Sequence, residues 1–173
     1  PMSTEVLKIL GFRHELEIYD KKTGIVISRE VKLNRIPQVG IDFLIQAPFG
    51  DVAPIPNFYC GLFRNNVLPA EGMTAADIPS VLGEFTEYSE ATRPEWLRVY
   101  NDAGSYYNTD AKAEFTATAE RDITGSFIVS NPVKGSNTGL LLSVVRFSTV
   151  KEISPEHPGR LSVGLTYIPT NIL

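Results

Sequence analysis

The chain predicts an all-β fold, an antiparallel β-sandwich of jelly-roll-like build with one or two short helical insertions. Three observations carry that reading. First, residues 111–167 read as four consecutive strands. Ala111, Ala113, Phe115, Ala117 and Ala119 alternate with Lys112, Glu114, Thr116, Thr118 and Glu120, the two-residue period of a strand with one buried face. Second, the apolar stretches are short and broken by Gly, Pro, Asn and Asp, which gives about seven or eight strands mostly paired with their neighbours. Third, helical spacing occurs only in two short places. A double-sheet jelly roll satisfies this pattern. The immunoglobulin signature of paired cysteines around a tryptophan is absent, because Cys60 is the one cysteine.

Each element follows from its residues. Residues 1–10 carry Val6, Leu7, Ile9 and Leu10 without a clean period. They read as an N-terminal arm ahead of a single β-sandwich domain over residues 11–173. Extended, such an arm reaches about 33–36 Å, enough to cross onto another subunit. Phe12, His14, Leu16 and Ile18 alternate with Arg13, Glu15, Glu17 and Tyr19 as a strand. Asp20-Lys21-Lys22-Thr23-Gly24 is turn material. Residues 25–33 return with Ile25, Ile27, Val31 and Leu33 on one face, interrupted by Arg29, so the two stretches predict a β-hairpin.

Residues 39–47 have the spacing of a short helix, with Ile41, Leu44 and Ile45 on one side and Pro48 as its end. Residues 49–56 are proline-rich loop. Residues 57–63 are apolar on both faces and predict a central strand. Thr74 with Asp77 resembles a capping box, and Pro79 limits any helix there to about two turns. Residues 96–100 predict a strand, and 101–110 a polar loop holding Tyr106 and Tyr107. Around the polar break Glu120-Arg121-Asp122, residues 111–120 and 123–129 predict a tight hairpin. Residues 130–139 are loop, 140–147 a central strand buried on both faces, and 161–167 the closing strand.

Composition excludes several classes. The net charge of -4 and the absence of a basic cluster argue against a nucleic-acid surface. No apolar run approaches the roughly 18 residues of a membrane span, and no charged-then-apolar leader opens the chain. The expectation is a chain made in a cytoplasm, without nucleic acid or membrane as partner. Cys60 lies among Phe58, Tyr59, Leu62 and Phe63 and reads as a buried, inert thiol.

Chemistry-bearing motifs are sparse. His14 and His157 are the two histidines, too few and too far apart for a zinc or cupin metal set. There is no Gly-x-Ser-x-Gly elbow and no phosphate loop. Acidic pairs such as Glu15/Glu17 and Glu84/Glu87 read as solvated faces. The expectation is a non-enzymatic protein without catalytic residues, metal or cofactor. Trp96 and Tyr100 read as core, while Tyr106 and Tyr107 either fold over their loop or grip a partner.

The chain also resembles a family of small virion proteins of tailed bacteriophages, the capsid cement or decoration proteins exemplified in a Bordetella podophage. The likeness runs through Glu17-Ile18-Tyr19-Asp20, Asn34-Arg35-Ile36-Pro37 and Tyr59-Cys60-Gly61-Leu62-Phe63. It continues through Glu87-Tyr88-Ser89-Glu90-Ala91-Thr92-Arg93, Ala113-Glu114-Phe115-Thr116, Gly125-Ser126-Phe127 and Lys134-Gly135-Ser136, ending with Leu141-Leu142-Ser143 and Arg146-Phe147. Residues 1–10, 49–56 and 101–110 have no counterpart in it. The resemblance implies a jelly-roll-like sandwich on the capsid exterior of a virion, partnered by the major capsid protein and by itself as a homodimer at capsid two-fold axes. Partner contacts are then expected from Val6, Leu7, Ile9 and Leu10 in the arm and from Phe49, Tyr106 and Tyr107 in the loops. The alternative is a tail- or fibre-associated binding module whose aromatic rings recognise a receptor or glycan.

Overall fold

A computed structural model describes residues 8–34 and 36–169. In chain order the elements are β1 (Lys8–Tyr19), β2 (Val26–Asn34), α1 (Gln38–Phe49), β3 (Tyr59–Phe63), β4 (Val99–Tyr100), β5 (Tyr106–Tyr107), β6 (Ala113–Phe115), β7 (Arg121–Val129), β8 (Leu141–Ile153) and β9 (Gly159–Pro169). They form two antiparallel sheets packed as a sandwich. One runs β2-β1-β9-β5-β4 with β6 also on β9; the other runs β3-β7-β8. Phe12, Leu16 and Ile18 of β1 and Leu161 and Val163 of β9 meet Cys60, Leu62, Ile128 and Val145 in the shared core.

The first hairpin forms as expected, with Asp20 Oδ1 accepting from the Lys22 and Thr23 amides and Gly24 at φ +71°. Its sidedness is reversed, however. Leu16 lies opposite Glu30, His14 opposite Lys32 and Phe12 opposite Asn34, so the polar face of β2 shares the core side of the sheet. That face meets β8: Glu30 accepts from the Ser148 amide at 2.9 Å and the Thr149 hydroxyl at 2.8 Å. Ile25, Ile27 and Val31 face solvent instead. The strand also begins earlier than the alternation suggested, because residues 8–10 already pair with β9. Residues 8–10 are therefore strand, not arm.

The expected hairpin of residues 111–120 and 123–129 does not form. β6 pairs with β9 in one sheet and β7 pairs with β3 and β8 in the other, so the polar break is a crossover between sheets. The remainder of that stretch bonds to a loop: the Glu90 carboxylate accepts from Thr116 N and Oγ1, and the Thr118 amide donates to Glu87 O. β3 and residues 141–147 of β8 are buried on both faces, yet β3 and β8 stand at the two edges of their sheet, not its centre. The open edge of β3 is closed by irregular chain, with Cys60 N donating to Pro94 O and Phe85 N to Leu62 O. Gly61 lies opposite Phe127 and Phe63 opposite Gly125. Each ring lies over the facing glycine, where a Cβ would stand 2.1 Å from ring carbon Cζ.

Thr74 and Asp77 form the capping box, and the 3-10 turn Ala75–Asp77 runs into a π turn, Ile78–Leu82. Pro79 sits in the first turn of the latter, where its missing N–H costs no helical bond. α1 extends to Phe49, past Pro48, because the proline falls in its last turn and Gly50 N still reaches Gln46 O.

Candidate functional site

Three buried polar sites that could support chemistry, at His14, at Glu84 with Arg93 and at Glu17, are engaged inside the fold. His14 is fully buried between the sheets, with Nδ1 2.8 Å from Ser126 Oγ and Nε2 2.8 Å from Ser143 Oγ. Asn34 Nδ2 donates to the same Ser143 oxygen at 3.0 Å. Burial lowers the imidazole to about 3, so it is neutral at pH 7. Burial likewise pushes the Cys60 thiol up. Glu84 and Arg93 form a bidentate ion pair with Nε–Oε1 at 2.8 Å and Nη2–Oε2 at 2.7 Å. Arg93 also donates to Asn131 O and Ser136 O, tying the 130–139 loop to β3's flank.

Glu17 is the third such group. Burial alone would raise its carboxyl, but Lys112 at 2.9 Å, Arg160 at 2.6 Å and Arg29 at 2.7 Å outweigh that and hold it at about 2. Glu15 also pairs with Arg13 at 2.6 Å and with Arg29 at 3.3 Å. The Glu15/Glu17 pair is thus a cross-strand ion network, with Glu17 buried, not the solvated face expected of it. Among the described residues no group of three or more His, Cys, Asp and Glu could hold a metal ion. No helix among them is long and apolar enough to cross a membrane.

An accessible apolar surface lies at the end of the sandwich where α1 packs. Gly40 brings the helix close to β8: a Cβ there would lie 2.8 Å from Leu142 O. Phe43 anchors the helix edge-on to Phe58, ring centroids 5.9 Å apart. That inward face leaves Ile41, Ile45 and Phe49, at i, i+4 and i+8, as an outward stripe. They are 37%, 57% and 89% exposed. Beside the stripe a cavity of about 560 Å³ is lined by Leu10, Ile36, Pro37, Ile41, Val144 and Ile168, with Asn34 and Glu71 as its polar groups.

The larger sheet continues this apolar surface. Leu10 lies opposite Tyr167, and Tyr106 opposite Leu165, so pleat parity puts Leu10, Tyr167, Leu165, Tyr106 and Tyr100 on one face. It is the face that carries Phe12 and Val163 into the core. At this end Leu10, Tyr100, Tyr106 and Tyr167 are exposed. Tyr100 and Tyr106 pack with centroids 5.3 Å apart. Tyr107 points to the opposite face, its ring over Gly164, where a Cβ would lie 2.0 Å from ring carbon Cε1.

Of the residues expected to contact a partner, the structure therefore places Leu10, Phe49 and Tyr106 on this exposed end. Tyr107 is half-buried on the other face. The Ile9 backbone, in β1, pairs with Ile168 of β9, while the Ile9 side chain, like all of Val6 and Leu7, lies outside the described residues. Tyr106 and Tyr107 are strand, not loop, and Tyr100 is surface, not core. Trp96 is core as expected, its Nε1 donating to Val163 O at 3.0 Å and its ring edge-on to Phe12. Sequence reasoning does not single out Ile45 and Tyr100 as surface residues. The i, i+4, i+8 spacing of Ile41, Ile45 and Phe49 is a usable signal that ending the helix at Pro48 hides. No family model matches the chain, and no curated protein matches it.

Proposed function

We propose that this chain is a non-enzymatic virion structural protein, a cement or decoration protein that binds the outer surface of a phage capsid and stabilises it. In this reading it is made in the host cytoplasm, contacts the major capsid protein, and acts as a homodimer at capsid two-fold axes. The observation that carries the proposal is the apolar end surface of Leu10, Ile41, Ile45, Phe49, Tyr100 and Tyr106, which a soluble chain has reason to expose only where a partner covers it. The sequence resemblance supplies the identity of that partner. The occupied state of His14, Glu17, Glu84 and Arg93 adds support, since each is committed to holding the sandwich together.

The physics of such a role needs no tight single contact. Each large apolar side chain buried at the interface contributes roughly 1.5–3 kcal/mol before ordering costs. Binding only to the assembled shell shifts the assembly equilibrium toward it, and many copies act on one particle. Capsids made without this chain test the proposal. The full-length protein is expected to co-sediment with them and to raise the temperature of genome release. Deleting residues 1–7, which leaves β1 whole, is expected to weaken both effects if the arm grips the shell. No binding by the full-length chain overturns the capsid reading. Glycan binding that is lost on Tyr106→Ala would then establish the tail-module alternative.

A further inference from the structure

The partner's own chemistry can be read from the charges around the apolar end. α1 carries Asp42 and no Lys or Arg, and the sequence from Ile36 to Phe63 contains Asp42 and Asp51 with no basic residue at all. Glu71 is the charged residue lining the cavity, and its backbone carbonyl accepts from Gln38 N at the start of α1. Asp42 follows Ile41 directly, and Asp51 lies two residues past Phe49. Among the described residues no cation pairs with Asp42, Asp51 or Glu71, although Asp42 Oδ1 accepts from the neutral Gln38 Nε2 at 2.8 Å. The stripe from Ile41 to Phe49 spans about 12 Å of helix at about 1.5 Å per residue. Carboxylates without an ion-pair partner among the described residues thus flank both of its ends and the cavity beside it.

We infer that this end is a docking surface for a protein segment that presents aliphatic side chains flanked by Lys or Arg. The aliphatic groups would cover Ile45 and Phe49 and enter the cavity beside Ile41. The flanking cations would meet Asp42, Asp51 and Glu71. Charge complementarity of this kind sets orientation and on-rate, and it makes binding salt-dependent. The same charges argue against a second copy of this chain as occupant, because self-docking would bring carboxylates against carboxylates. The inference rests on the proposal that the chain is a docking protein, and it adds the sign and pattern of the surface it meets.

The test titrates the ¹⁵N-labelled full chain with three capped synthetic peptides: alternating leucine and lysine, alternating leucine and glutamate, and alternating serine and lysine. The leucine–lysine peptide is expected to shift amide signals of α1, Leu10 and Ile168. It should bind at least tenfold more tightly than either of the others and weaken as salt rises. Asp42→Lys/Glu71→Lys should erase that preference, and Ile45→Ser/Phe49→Ser should erase binding; all four positions are solvent-facing, so both variants keep the spectrum of the folded protein. Equal binding of the leucine–glutamate peptide, no binding of any peptide, or shifts confined to another face overturn the inference. Capsids lacking the chain separate the two claims. If wild type co-sediments with them and both variants do so equally and with unchanged salt dependence, the inference falls while the capsid role stands. If the leucine–lysine peptide binds this face but wild type ignores capsids, the capsid role falls and the inference stands.

Discussion

Acid should loosen this protein in a pH range where its carboxylates are still ionised, and His14 is the reason. The imidazole is fully buried between two serine hydroxyls, and burial holds it at about 3 against an ordinary 6.5. The folded state therefore carries no proton there between those values, whereas the unfolded chain takes one up below 6.5. Proton uptake by the unfolded state favours unfolding as pH falls. The full gap from 6.5 to about 3, at about 1.4 kcal/mol per pH unit, amounts to about 5 kcal/mol. By pH 5 about 2 kcal/mol of it is already lost, a large share of a typical domain's stability. Glu17 acts in a lower window: its carboxyl is held at about 2 against 4.5, so its contribution is lost only as pH falls below about 4.5. Urea unfolding followed by the fluorescence of the single tryptophan, buried Trp96, reads the effect. The midpoint should drop between pH 7 and pH 5 in the native chain. In His14→Gln, which cannot titrate, the midpoint should be lower at pH 7 but flat over that range. An equal acid slope in both proteins, or the His14 imidazole resonance, assigned by its loss in His14→Gln, titrating near 6.5 in the folded state, would refute the reasoning.

Two further outcomes follow from the packing. Arg93→Met leaves the Glu84 carboxylate buried without its partner and should cost about 3–5 kcal/mol, whereas Arg93→Met/Glu84→Leu together should cost clearly less; chemical denaturation of the two variants decides. Phe115→Ala and Phe127→Ala each empty a fully buried site, one in each sheet, and should each lower stability by about 3–5 kcal/mol in the same assay. A loss below about 1 kcal/mol would mean that the neighbouring chain collapses into the space.

Local chemistry alone determined the β-rich sandwich, the Asp20–Gly24 turn, the capping box at Thr74 and the buried state of Cys60 and Trp96. Each depends on residues close in sequence or on a side chain's own hydrophobicity, so periodicity and turn chemistry suffice to see it. Partner strands were decided elsewhere. The alternation in residues 111–129 is real, yet β6 and β7 went to different sheets, because a two-residue period identifies a buried face and not the neighbour that buries it. The same holds for β2, whose apolar face looks to solvent: register with β1 and the hydrogen bonds of Glu30 to β8 outweighed the loss of covering Ile27 and Val31. The candidate docking end is also a tertiary product. Leu10, Ile41, Phe49 and Tyr106 come from three elements, and only the packing of α1 on β8 and the pairing of β9 with both β1 and β5 gather them. Sequence shows that these side chains are apolar; exposure is a property of what else reaches them, and that is fixed by contacts between residues far apart in the chain.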